Sequence, residues 1–94
     1  MDKLTEHQVL NALKDLKGWE YKEGSIKKTF KTQNFPLAMG FVTAVGGFCQ
    51  RRNHHPDYIL MKFKDIEVSF STHSAGGITQ NDLDIASDLE KIPL

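Results

Sequence analysis

The chain has 94 residues, and its twelve basic and twelve acidic side chains cancel to a formal net charge of zero. That length holds one domain and no second core, while 39% hydrophobic and 26% charged residues exclude a disordered chain. The charge balance offers no basic surface for nucleic acid and no polybasic segment for a membrane.

The first predicted element is a helix opened by Thr5, because Thr5-Glu6-His7-Gln8 has the form of a capping box. Val9, Ala12, Leu13 and Leu16 follow at helical spacing, and Gly18 is the expected stop. Trp19–Glu23 and Ser25–Thr32 read as two strands around a Glu23-Gly24 turn. Asn34 caps a second helix, with Phe35 and Pro36 in its first turn, running to about Arg52. Its apolar residues, from Leu37 to Cys49, surround most of the helix. Such a helix needs cover on more than one side, and one sheet covers only one. A second copy of the chain is the expected remaining cover, and Gly40, Gly46 and Gly47 fit a close approach there. Its uncharged run is too short in apolar residues for the roughly 20 that a membrane span needs.

Asp57–Phe63 and Ile66–Thr72 read as a hairpin around Lys64-Asp65. Ile66, Val68 and Phe70 alternate with Glu67, Ser69 and Ser71, giving one apolar and one polar face. After Ala75-Gly76-Gly77, Thr79 caps a last helix. Asp82 sits at its third position, pointing back to the cap, and Pro93 is the expected stop. The order α-β-β-α-β-β-α predicts an α+β domain over residues 1–94, a four-stranded antiparallel sheet with three helices on one face.

Two of the four histidines stand together as His54-His55, just before Pro56. Imidazole exchanges protons near neutral pH, so the pair is a natural acid–base device. Pro56 pushes His55 toward extended backbone, where neighbouring side chains point to opposite sides. The same pair would also suit a plain helix end, where a cation complements the dipole. His73 lies just past a strand, a common place for functional groups. Asp82 is a helix-cap carboxylate that would also fix the His73 tautomer if it reached it. A zinc site on His54, His55 and His73 is disfavoured, since adjacent histidines diverge and no paired cysteines or HxxxH spacing occur. Cys49, the single cysteine, lies within an apolar helix and reads as an inert packing group. With the polar N-terminal MDKLTEHQ stretch, it suggests a reducing cytoplasm.

Asn53-His54-His55-Pro56-Asp57-Tyr58, then Ser71-Thr72-His73-Ser74-Ala75-Gly76-Gly77-Ile78-Thr79 and Asp82, resemble the pterin-4a-carbinolamine dehydratases. That family is also known as the dimerisation cofactor of a homeodomain transcription factor. The resemblance covers nearly the whole chain. It implies dehydration of a 4a-hydroxy-tetrahydropterin to the quinonoid dihydropterin, which recycles the pterin cofactor of aromatic amino-acid hydroxylases. It implies His54 and His73 as the acid–base pair and His55 as a further catalytic, substrate-positioning histidine. Trp19, Pro56, Thr72, Ser74 and Ala75 would join the three histidines at the pterin, with Asp82 supporting His73. It implies no metal and no organic cofactor, since the pterin is the substrate. It also implies a homodimer or homotetramer built through the sheet edge and helix 34–52. A non-catalytic protein-binding or co-regulator module that docks a protein partner on this helix is the alternative. Two departures stand out. Gln50 occupies a position that is usually charged, and the hairpin between Pro56 and His73 is one residue longer than the commonest spacing, with Phe63 standing for the expected aromatic.

Overall fold

A computed structural model describes residues 2–94. Helix α1 spans Glu6–Leu13, strands β1 and β2 span Glu20–Lys22 and Ser25–Lys31, and helix α2 spans Phe35–Arg52. Strands β3 and β4 cover Tyr58–Lys62 and Asp65–Phe70, a 3-10 turn covers His73–Ala75, and helix α3 covers Gln80–Leu89. The strands form one antiparallel sheet in the order β1-β2-β4-β3, so the predicted α+β architecture is the observed one.

Local chemistry explains most of the boundaries. Thr5 and Gln8 form the predicted capping box, and the Asn34 side chain accepts from the Leu37 N–H at 2.9 Å. Glu23 and Gly24 both take positive φ, 54° and 77°, as a tight hairpin turn requires. The strand ends shift from the sequence-based expectation by one or two residues, and two helix ends and one turn differ for identifiable reasons. Helix α1 stops at Leu13, because Lys14, Asp15 and Leu16 donate to residues three positions back, and the chain reaches Gly18 through turns. Helix α3 stops at Leu89 for the same reason, as Lys91 and Ile92 bond to Asp88 and Leu89, before Pro93 is reached. The β3–β4 turn is Phe63-Lys64, and Asp65 already pairs with Lys62 in the ladder. Phe63 takes φ 55° and is exposed in this turn, and the β3–β4 ladder runs from Tyr58 to Lys62 without a bulge.

The ladder puts Ile26 opposite Phe70 and Phe30 opposite Ile66, all buried on one face of the sheet. Val9, Phe41, Val45, Ile85 and Leu89 from the three helices close over that face in one core cluster. Arg52 at the end of α2 grips Asp88 of α3, its Nη2 donating to Oδ1 at 3.1 Å. This sets the end of α2 beside α3. The opposite face carries polar side chains, among them Lys27, Thr29, Glu67 and Ser69. Helix α2 buries Ala38, Phe41, Val45 and Cys49 but leaves Phe35, Leu37 and Met39 about half exposed. A methyl group added at Gly40, Gly46 or Gly47 would meet nothing within 4 Å in this chain. Among the described residues, nothing makes the close approach expected at these glycines.

Candidate active site

Helix α2 ends in a Schellman motif. Asn53 takes the left-handed conformation at φ 50° and ψ 44°, the Asn53 N–H reaches Gln50 O at 3.2 Å, and the His54 N–H reaches Cys49 O at 3.0 Å. The turn drives His54 inward, to 9% exposure, while His55 stays exposed. Beyond β4, Thr72 and Gly77 bond to each other across a short loop that holds the 3-10 turn. Gly76 closes that turn at φ 74°, where a side chain would be strained. The loop presents His73 with its side chain 83% exposed.

These two segments, residues 53–57 and 71–74, line one cavity of about 260 Å³. His54, His55, Pro56, Thr72, His73 and Ser74 all contribute to its wall. A larger hollow of about 400 Å³ lies over β1 and β2, but no histidine lines it. Size alone therefore does not select the place where acid–base chemistry is available.

Each of the two loop histidines has its own carboxylate. His54 Nε2 lies 2.5 Å from Asp82 Oδ1, and Asp82 is fully buried. The other Asp82 oxygen accepts from the Thr79 N–H at 2.9 Å and from the Thr72 hydroxyl at 2.8 Å. Thr79 in turn donates to Thr72 at 2.8 Å. A carboxylate with these partners only accepts, so His54 Nε2 carries a proton and Nδ1 is the remaining nitrogen. Deleting one member of such a buried pair typically costs about 3–5 kcal/mol.

His73 Nε2 instead lies 2.9 Å from Asp57 Oδ1. This corrects the expectation that Asp82 supports His73: Asp82 faces inward to His54, and Asp57 takes the role. Asp57 also accepts from Ser71 at 2.6 Å, Ser69 at 2.9 Å and Ser25 at 3.0 Å. Burial pushes its carboxyl upward, but the bonds from Ser71, His73, Ser69 and Ser25 outweigh this and hold it below the ordinary carboxylate value. Sequence reasoning missed Asp57. The signal was the alternation Ser69, Ser71, His73, which aims three polar groups to one side of a strand and its extension.

Two further expected site residues lie elsewhere. Trp19 is 5% exposed in the core, edge-on to Phe30 at 5.9 Å, and its Nε1–H donates to Glu90 at 3.0 Å. It does not line the cavity, because its large apolar ring is taken up by core packing. Ala75 is half-buried on the 3-10 turn and also off the cavity wall. Burial pushes the Cys49 thiol up, as suits a packing group. Among the described residues, no three His, Cys, Asp or Glu side chains are grouped to hold a metal ion.

An α+β fold with a pocket of carboxylate-paired histidines defines a class of protein equipped for acid–base chemistry on a small molecule. A family model described as pterin 4 alpha carbinolamine dehydratase matches residues 2–92. A protein of Roseiflexus sp. strain RS-1 is 37% identical over 90 residues, covering 96% of both chains. One from Aquifex aeolicus strain VF5 is 36% identical over 90 residues, covering 96% of this chain and 90% of that one. Both carry the name "Putative pterin-4-alpha-carbinolamine dehydratase". A solved structure of a transcriptional coactivator/pterin dehydratase from Brucella melitensis superposes with a TM-score of 0.89 at 28% identity, covering 95% of this chain and 96% of that one. The chain belongs to the pterin 4 alpha carbinolamine dehydratase family.

The Asp57 carboxyl predicts a specific acid response. The folded chain binds this proton less readily than the unfolded chain, so the stabilisation is complete above the ordinary carboxylate value of about 3.9 and is lost as pH falls through the lower folded value. Urea unfolding of wild type and Asp57→Asn should show a stability gap at pH 5 that narrows by pH 3. An unchanged gap would contradict this account of Asp57.

Proposed function

We propose that the protein removes water from a 4a-hydroxy-tetrahydropterin to give the quinonoid dihydropterin, in the cavity between residues 53–57 and 71–74. The observation that carries the reading is that His54 and His73 open on one cavity while each is bonded through Nε2 to its own carboxylate. Dehydration breaks a carbon–oxygen bond as a proton is added to the departing hydroxyl. A base removes a ring N–H proton, and its electron pair becomes the new carbon–nitrogen double bond. One site therefore needs an acid and a base facing the same small ring. The two histidines supply these through Nδ1: one, as the imidazolium, donates its Nδ1 proton to the departing hydroxyl, and the other, neutral with its proton on Nε2, accepts the ring proton at Nδ1. His55, exposed on the same wall, and Pro56, Thr72 and Ser74 position the ring. The cavity is slightly smaller than the roughly 300 Å³ where sites for drug-sized ligands begin, which suits a bicyclic heterocycle. Trp19 and Ala75 have no place at the ring in this reading. The role in cofactor recycling and the cytoplasmic setting belong to the same proposal. No helix among the described residues is long and apolar enough to cross a membrane.

The proposal includes a homodimer or homotetramer. Phe35, Leu37 and Met39 on α2, and Tyr58 and Leu60 on the edge strand β3, are large apolar side chains with 37% or more of their surface exposed. The β3 pair lies on the sheet face that carries Ser69 and Glu67, away from the helices, so these are two separate apolar surfaces, each of a kind that marks an interaction. Docking of a different protein is the rival reading of the α2 surface.

Two experiments test these readings. Dehydration of chemically generated 4a-hydroxy-tetrahydropterin should be faster with the wild type than without protein. His54→Ala and His73→Ala should each lower kcat by about 100-fold or more, the usual scale for a general acid or base. A wild-type rate equal to the spontaneous one would rule the dehydratase out. Sedimentation should give a mass of at least twice 10.7 kDa, falling to the monomer in Leu37→Asp/Met39→Asp. A monomeric wild type would leave α2 to a different partner.

A further inference from the structure

We propose that Asp57 is a positioning residue for His73, holding its ring as the Nε2–H tautomer so that Nδ1 is the nitrogen offered to substrate. The inference rests on the reading of the cavity as the dehydration site. His73 is the exposed member of the histidine pair, with 83% of its side chain in solvent. Packing therefore does little to choose its rotamer or its tautomer. Among the described residues, its one side-chain hydrogen bond goes to Asp57, whose side chain is only 18% exposed.

Asp57 is built to be still. Pro56 restricts the chain before it, and its own N–H donates to Ser69 O at 2.6 Å. Its Oδ2 accepts from Ser25 and Ser69, and its Oδ1 from Ser71 and His73. A carboxylate offers about four acceptor positions, and all are filled. Asp57 therefore has no free lone pair with which to take a substrate proton or hold a substrate N–H. It lines the cavity, but its chemistry there is spent on orientation. Three serines from β2, β4 and the segment after β4 converge on a group whose fourth partner is a solvent-exposed imidazole. A carboxylate serving only to join strands would not need that fourth partner.

The site thus has two histidine–carboxylate pairs of unlike character. Asp82 fixes His54 from inside the core, and Asp57 fixes His73 from the rim. In both, Nε2 is committed and Nδ1 is free.

Imidazole nitrogen NMR at alkaline pH, where the ring is neutral, tests the tautomer directly in the ligand-free protein. Wild-type His73 should be a single Nε2–H tautomer, and Asp57→Asn should give a mixture. In turnover of 4a-hydroxy-tetrahydropterin, Asp57→Asn should lower kcat by about 10- to 100-fold, the scale seen when a carboxylate that orients a metal-bound histidine is lost, with KM within about threefold. The rotatable serine hydroxyls leave the variant able to satisfy an amide. Should it fail to fold, the wild-type spectrum still decides, since a mixed or Nδ1–H tautomer there would overturn the proposal. Wild-type kcat in Asp57→Asn would also overturn it. Absence of turnover in the wild type would instead refute the dehydratase reading and leave the tautomer result standing.

Discussion

A buried imidazole against a fully buried carboxylate, His54 on Asp82, is the contact on which the rest of the site depends. Neither group belongs in a protein interior alone, because an unpaired buried charge or donor is costly. Each is delivered by a helix end. The Schellman turn after α2 brings His54 in, and the capping box at the start of α3 brings Asp82 in. The carboxylate thus serves twice, capping a helix through Oδ2 and orienting a histidine through Oδ1. Thr72 donates to the same Oδ2, so the loop that carries His73 is tied to the buried pair as well.

The sheet supplies the second half of the arrangement. Its helix-facing side is apolar and closed, and its other side is free to carry polar side chains. Near the end of β4 that polar row becomes Ser69, Ser71 and then His73, all directed at Asp57. Both carboxylates hold Nε2, yet their surroundings differ. Asp82 is wholly buried, while Asp57 is satisfied by hydroxyls at the rim. His54 is thereby fixed by packing as well as by its carboxylate, and His73 by hydrogen bonding alone.

Local signals made much of this legible in the sequence. Thr5, Asn34 and Thr79 announced helix starts because capping involves residues within three positions. The alternation in Ile66–Phe70 gave the β4 faces because a strand repeats every two residues. Two helix ends were missed where 3-10 bonds took over before Gly18 and Pro93. The histidines of the cavity were legible as a motif, but their partners were not. Asp82 stands nine positions after His73 in the chain but bonds His54, which is 28 positions away. Asp57 is 16 positions from His73 and reaches it only through strand pairing. Sequence proximity therefore suggested the wrong pairing, and only the fold corrects it. The motif likewise does not show that the Trp19 ring packs against Phe30 and Phe70 in the core.

The central claim is that a pterin ring occupies the cavity between the α2–β3 turn and the segment after β4. A structure determined with a reduced pterin bound is its most direct test. The ring is predicted to lie between His54 and His73, with Nδ1 of both histidines facing it and Asp57 and Asp82 still on the Nε2 sides. A pterin seated instead in the hollow over β1 and β2, away from the histidines, would contradict it.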